Sequence, residues 1–441
     1  MENRFCRRAA RYAMMVLIVL AVSMMMSIAS AETAFADGEE LPYPVYDNAE
    51  QAKEASRDTH ETVLYYIPEV VVYFEEPEYY NAGNCGDNVK YRIYGRVSWE
   101  QWHDEDTGEY SWEYDDCSRG FAMIYGTGPT YDYKIQETIN WSGVQEVLVQ
   151  EGVTGIGKCF FDKENGNSIS KVTLPESLES IGNSAFRDST GLKEIYIPDG
   201  VKYIGKYAFS GCTRIEKLGL PNGLKTIEES SFYGLEKMKT LIIPDSVTEI
   251  KDSAFEFCYK LSNIRWGKGL KKIGEYAFVD CAITELDIPD HVTSIGESSF
   301  AVCKKLKKIR LSKNLKKIPA EAFERCKKLT KISIPASSKI TVIGDGAFES
   351  CESLKAITLP KGVKMIKDDA LHNCPKLRTI KFLGKKPFKF QSYCVFTTEY
   401  MFSERITKKI TIKCPNMSKA NKAKFRKYLK KVEIHFFGKV K

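Results

Sequence analysis

Histidine is scarce in this chain, with five in 441 residues. None of His60, His103, His291, His372 and His435 forms a His-Glu-x-x-His pair, which removes the zinc-protease signature. No Gly-x-Ser-x-Gly elbow and no Walker-type glycine loop occurs, so the common hydrolase and nucleotide-binding signatures are missing too. Past residue 36 no apolar run approaches the ~18 residues that a membrane-spanning helix needs, which excludes a polytopic membrane protein. Compositional bias is also lacking. With 43% hydrophobic and 28% charged residues of mixed sign, the chain is neither a collagen-like rod nor largely disordered. Length alone suggests about three domains.

The first 36 residues have the layout of an export signal. Arg4, Arg7, Arg8 and Arg11 precede the apolar stretch from Ala13 to Met26. Small-x-small cleavage sites follow at Ala29-Ser30-Ala31 and Ala34-Phe35-Ala36, the second being favoured. A secretory signal peptide over 1–36 is expected, with a retained single-span anchor as the alternative. No cysteine sits at the cleavage site, and the basic C-terminus has no hydrophobic tail, so neither a lipoprotein nor a sorting anchor is expected. The mature chain is expected to be secreted or cell-surface associated, without an integral membrane segment.

Internal repetition decides the architecture. The phrase I-G-x-x-A-F-x-x-C-x-x-L-x-x-I-x-L-P recurs with aromatic anchors at Phe161, Phe186, Phe209, Phe232, Phe255, Phe278, Phe300, Phe323 and Phe348, and with Leu371 in the same role. The intervals are 25, 23, 23, 23, 23, 22, 23, 25 and 23 residues. Within one repeat, Leu192-x-x-Ile195-x-Ile197 alternates with period 2, a short strand with one buried face. Pro198 cannot donate to a ladder and ends it. A single coil cannot bury its apolar face, but stacked coils share a continuous core. The expected fold is a β-rich, right-handed repeat solenoid, a superhelix of about ten 23-residue coils.

These residues resemble the leucine-rich repeats of the BspA-like family of bacterial surface proteins, over roughly 141–384. Cys85-Gly86-Asp87-Asn88-Val89, Tyr125-Gly126-Thr127-Gly128, Tyr133 and Trp141 resemble that family's usual entry into the repeats. Trp266-Gly267 departs from the apolar-proline pair. The resemblance implies a non-enzymatic binding scaffold and adhesion to host matrix or other cells.

Around the repeats, 37–140 is expected to be an acidic, aromatic-rich region with a β-rich N-terminal cap, including a hairpin formed by 97–102 and 110–114. Residues 385–441 are expected to form a small basic α/β cap, with a strand over 406–413 and a helix over 419–431 capped by Ser418. Charge is polarised between these ends. Residues 37–140 hold 7 Lys and Arg against 23 Asp and Glu, a net of −16, while 381–441 hold 17 against 3, a net of +14.

Of the thirteen cysteines, seven share one repeat position: Cys212, Cys258, Cys281, Cys303, Cys326, Cys351 and Cys374. A ladder of buried thiols is the favoured reading. Disulfides between coils and a metal array are the sharper alternatives, disfavoured by the odd number and by the absence of histidines or Cys-x-x-Cys pairs. Cys85 with Cys117, and Cys394 with Cys414, are disulfide candidates because each pair brackets a short segment of an exported chain. Asp104-x-Asp106 with Asp115 faintly resembles a calcium loop and reads better as an acidic turn. No catalytic residue, cofactor or metal is expected.

Outward strand positions supply the candidate ligand face: Lys193, Tyr196, Arg265, Lys307, Lys308, Arg310, Lys331, Lys355, Arg378 and Lys381. Such a face attracts anionic polymers. The expected partner is an extracellular protein or an anionic glycan or cell-wall polymer, and not nucleic acid. A structural or envelope protein with no host ligand is the alternative, and a solenoid with an unrecognised enzymatic site is the weakest.

Overall fold

The computed structural model describes residues 81–94, 98–103, 110–115, 120–132, 139, 141, 143–162, 169–391, 410–431 and 437–440, with the strand pair Val45–Tyr46 and Leu64–Tyr65. The expected signal segment, Asp104, Asp106, Cys117 and Cys394 lie outside these residues. Two compact units separate, one of residues 1–82 with 92–121, the other of 83–91 with 122–441. In the first, Ser98–His103 and Tyr110–Asp115 form an antiparallel pair, with Ser98 opposite Asp115 and His103 opposite Tyr110.

The second unit is a β-solenoid of about eleven coils. Each coil contributes two short strands to two separate series of parallel strands. The first series includes Val144–Val149, Lys171–Thr173, Glu194–Ile195, Lys217–Leu218, Thr240–Ile242 and Asn263–Arg265. It continues through Glu285–Asp287, Lys308–Arg310, Lys331–Ser333, Ala356–Leu359 and Thr379–Phe382. The second runs from Val153–Ile156 to Lys389–Phe390. Pairing is in register with the repeat, so Ile309 lies beside Ile332 and Ile250 beside Ile273. A strand of two to four residues has too few hydrogen bonds to persist alone; its partners one coil away complete it. The prolines close the strand phrase as expected: Val201 donates to the carbonyl of Pro198 in the turn that follows.

Alternation explains the burial. In Lys308-Ile309-Arg310 only the central residue is buried. The phenylalanine anchors form a column through the core, and neighbouring rings from Phe186 to Phe348 lie 5.0–5.8 Å apart and nearly parallel. Trp141 starts the column: its ring is 4.9 Å from Phe161, and its indole N–H donates to the carbonyl of Phe160 at 2.7 Å.

Nine described coils, from Ser184 to Asn373, also turn twice through left-handed backbone, two residues before the phenylalanine or leucine anchor and again two residues after it. In one coil these are Tyr207 (φ 58) and Gly211 (φ 75), and two coils later Ser253 (φ 53) and Phe257 (φ 58).

The first ladder extends beyond residue 384. Ile410–Lys413 pairs parallel with Thr379–Phe382 and in turn with Phe437–Val440. The helix Lys419–Lys431 is capped by Ser418, whose hydroxyl accepts from Asn421 N–H at 3.2 Å. It buries Phe425 and Leu429, and Phe425 meets Phe388 edge-on at 5.0 Å. Tyr428 ties the helix to the last coil, its hydroxyl both accepting from Phe390 N–H and donating to Phe390 C=O.

Candidate ligand-binding face

The first strand ladder turns a regular array of side chains outward, because alternation leaves the residues either side of each buried isoleucine or leucine in solvent. Of the ten residues proposed from the sequence, Tyr196, Arg265, Lys308, Arg310, Lys331 and Lys381 lie on this array, while Lys193, Lys307, Lys355 and Arg378 stand one residue ahead of their strands. They do not form one uniform basic surface.

The middle coils are internally paired. Lys308 is 2.7 Å from Glu285 on the preceding coil. Arg310 bridges Asp287 at 3.0 Å and Asp290 at 3.2 Å. Such exposed pairs are worth about 0–1 kcal/mol each, but they neutralise charge that the sequence had counted toward a ligand. The Glu285 carboxyl titrates below the ordinary value, chiefly through its bond to Lys308, with smaller effects from Lys307 and Lys331. Lys307 and Lys331 therefore remain as positive excess around one carboxylate.

Further along, the face is free of acids. Three successive coils present Thr330, Lys331 and Ser333; then Lys355, Ala356 and Thr358; then Arg378, Thr379 and Lys381. Arg378 is drawn back, donating to the carbonyls of Pro375 and Leu377 at 2.7 and 2.8 Å. Lys331, Lys355 and Lys381 are exposed.

Toward the N-terminal coils one outward row of the face turns apolar, beside the exposed Glu194 and Lys217 of the same strands. Tyr196 is 64% exposed and Ile242 is 52% exposed. Gly219 takes the same outward position in the coil between them, and a Cβ placed on it would meet nothing within 4 Å. Leu218 and Leu220 beside it are only half-buried. The result is a notch one residue wide between an aromatic and an aliphatic side chain. Lys193 and Arg265 lie exposed around it. Sequence reasoning singled out Tyr196 but missed Ile242. The signal was available: in Leu241-Ile242-Ile243, strand alternation forces the middle residue outward.

The profile of the BspA type leucine rich repeat region matches residues 154–284 and 271–398, in six copies. The chain belongs to this BspA-type leucine-rich repeat family. No curated protein matches it. It is similar to a leucine-rich repeat protein of Bacteroides ovatus, at 23% identity and a TM-score of 0.53, over 78% of this chain and 97% of the other. A leucine-rich cell surface protein of Faecalibacterium prausnitzii matches at 21% identity over 70% of this chain and 95% of its own, with a TM-score of 0.37. A leucine-rich repeat protein of Eubacterium ventriosum matches at 21% identity over 74% and 97%, with a TM-score of 0.42. BspA-type proteins are typically of surface or secreted type, and their solenoids are generally non-enzymatic scaffolds.

In this BspA-type solenoid the seven repeat cysteines are buried free thiols, as are Cys85, Cys159 and Cys414. Cys159 lies outside the ladder, at the left-handed position that Ser184 takes one coil later. Each ladder thiol donates to the carbonyl of the phenylalanine one coil back, from Cys212 to Phe186 at 3.0 Å through Cys374 to Phe348 at 3.2 Å. Burial pushes Cys258, Cys303 and Cys374 up to about 12. A thiol held neutral, without solvent access, is neither a nucleophile nor a metal ligand. Among the described residues no helix is long and apolar enough to cross a membrane.

Proposed function

We propose that the protein is a secreted or surface-associated scaffold whose strand face takes an extracellular protein or an anionic glycan or cell-wall polymer, in the service of adhesion. The acid-free stretch bearing Lys331, Lys355 and Lys381 carries this reading. A run of lysines with no carboxylate on their own strands, Glu285 near Lys331 being already paired with Lys308, sums to a positive field that is available to an outside anion. The apolar notch at Gly219 supplies an anchor on the same face, of the kind that interfaces place at their centre.

The test is binding of the full mature chain to a sulfated glycan and to cell-wall polymer at low and high salt. Lys331, Lys355 and Lys381 changed together to Glu should abolish most of the salt-sensitive binding. Lys308→Glu with Arg310→Glu should matter less, because those cations already have partners. Binding that survives the first triple variant removes the lysine stretch as the ligand face.

A further inference from the structure

The turn segment that follows the strand Glu249–Ile250 carries an aromatic ring where the coils on either side have Gly234 and Asp280. Phe257 is held in left-handed backbone, φ 58. That backbone is the regular turn of the repeat, shared with Asp280 and Val302 in the next two coils, so the ring and not the conformation sets this coil apart. In the two preceding coils the same position is glycine, Gly211 and Gly234. Because Gly234 presents no side chain, Phe257 can meet Tyr233 edge-on, with centroids 5.4 Å apart and planes at 78°. On its other side it stacks on Tyr259 at 5.8 Å. Tyr259 is 46% exposed, and Tyr233 and Phe257 are half-buried.

Carboxylates border these rings. Tyr233 titrates above the ordinary tyrosine value through burial and then the field of Glu256. Tyr259 does so through burial and then Asp280 and Glu236, with Lys304 opposing and Glu256 adding a smaller effect. Asp280 is paired with Lys304 at 3.1 Å. Among the described residues Glu256 has no cationic partner; burial raises its pKa, and only the Ser253 hydroxyl opposes this. A partly desolvated carboxylate beside the exposed ring of Tyr259 favours a cation. A guanidinium answers both features at once, because it stacks flat on a ring and donates a fork of N–H groups to a carboxylate. A primary ammonium is better hydrated and cannot stack.

We propose that Tyr233, Phe257, Tyr259 and Glu256 form a recognition site for an arginine side chain of a partner polypeptide, separate from the strand face and independent of its ligand.

The repeat itself supplies benign variants. Phe257→Gly installs what Gly211 and Gly234 already are, and Tyr259→Thr what Thr213 already is. The probe is a capped Gly-Arg-Gly peptide, with its citrulline and lysine counterparts, titrated against the full chain by saturation-transfer NMR. The arginine peptide should bind, and the double variant should bind it about tenfold more weakly, the loss of the contacts to two rings. Glu256→Gln should weaken it several-fold. The acidic 37–140 region is intact in each variant, so equal binding by the double variant would place the peptide there and overturn the site. Equal binding of the citrulline peptide overturns recognition of a cation, and equal binding of the lysine peptide overturns the guanidinium preference.

Discussion

The thiol of Cys303 donates to the carbonyl oxygen of Phe278, one coil earlier, at 3.3 Å. The same bond recurs at Cys281 with Phe255 and at Cys326 with Phe300, each at 3.4 Å. It satisfies a buried acceptor that water cannot reach, using a side chain small enough to stack at the coil repeat of about 4.8 Å. It therefore links the column of rings to the column of thiols.

These thiols set an alkaline limit. The folded value for Cys258, Cys303 and Cys374 is about 12, above the ordinary thiol value near 8.5. The stabilisation this represents is complete below the unfolded value and is lost as pH rises through the folded one. The midpoint for urea unfolding should fall steadily from about pH 9 to 12. A Cys258→Ala, Cys303→Ala, Cys374→Ala variant should show a shallower fall. In the native protein below that range, a thiol reagent should label none of the seven; in urea it should label all of them.

Phe300 stacks between Phe278 at 5.4 Å and Phe323 at 5.8 Å, and is fully buried. Phe300→Ala would open a cavity shared by three coils, with an expected cost of about 3–5 kcal/mol. Because each coil contacts only its neighbours, the loss should also divide the urea transition in two. A single transition at the wild-type midpoint would contradict this.

Ser299 occupies a position where Ala254, Ala277 and Ala322 stand in other coils. Its hydroxyl is buried with no hydrogen-bond partner. Ser231, at the same position, does better by donating to the carbonyl of Glu228 at 2.8 Å. Ser299→Ala should therefore stabilise the protein by about 1 kcal/mol, and Ser231→Ala should not. Paired denaturation curves decide this.

Gly219 is not required by the backbone, since its φ lies outside the left-handed region and an added Cβ meets nothing within 4 Å. Gly219→Thr should raise stability by about 0.5–1 kcal/mol, because glycine is a poor strand residue. It also fills the notch between Tyr196 and Ile242. If that notch anchors a ligand, the more stable variant should bind the ligand less well, and calorimetry with denaturation reads both effects.

Much of the fold was legible from spacing alone. The phenylalanine anchors, the ladder cysteines and the Leu192-x-x-Ile195-x-Ile197 phrase each recur at a near-constant interval. Such recurrence has a physical meaning only if equivalent residues stack. The prior of about three domains did not survive it. The helix over 419–431 was legible because Ser418 precedes it and Phe425 and Leu429 share one face. Strand ends were less so, since the hairpin runs over Ser98–His103 and Tyr110–Asp115, each strand closing one residue later than expected.

The candidate face was only half legible. That Lys308 and Arg310 point outward follows from strand alternation, a property local to a few residues. That Glu285 and Asp287 neutralise them does not, because those contacts join residues 23 apart and depend on the register between coils. The same holds for Phe257, whose ring reaches Tyr233 only because Gly234 leaves room and the backbone is left-handed. The sequence by itself determined the coil, its period and its buried anchors, since these rest on patterns within one repeat. Which surface groups are paired, and which remain available to a partner, was decided only by tertiary structure, through the alignment of side chains on neighbouring coils.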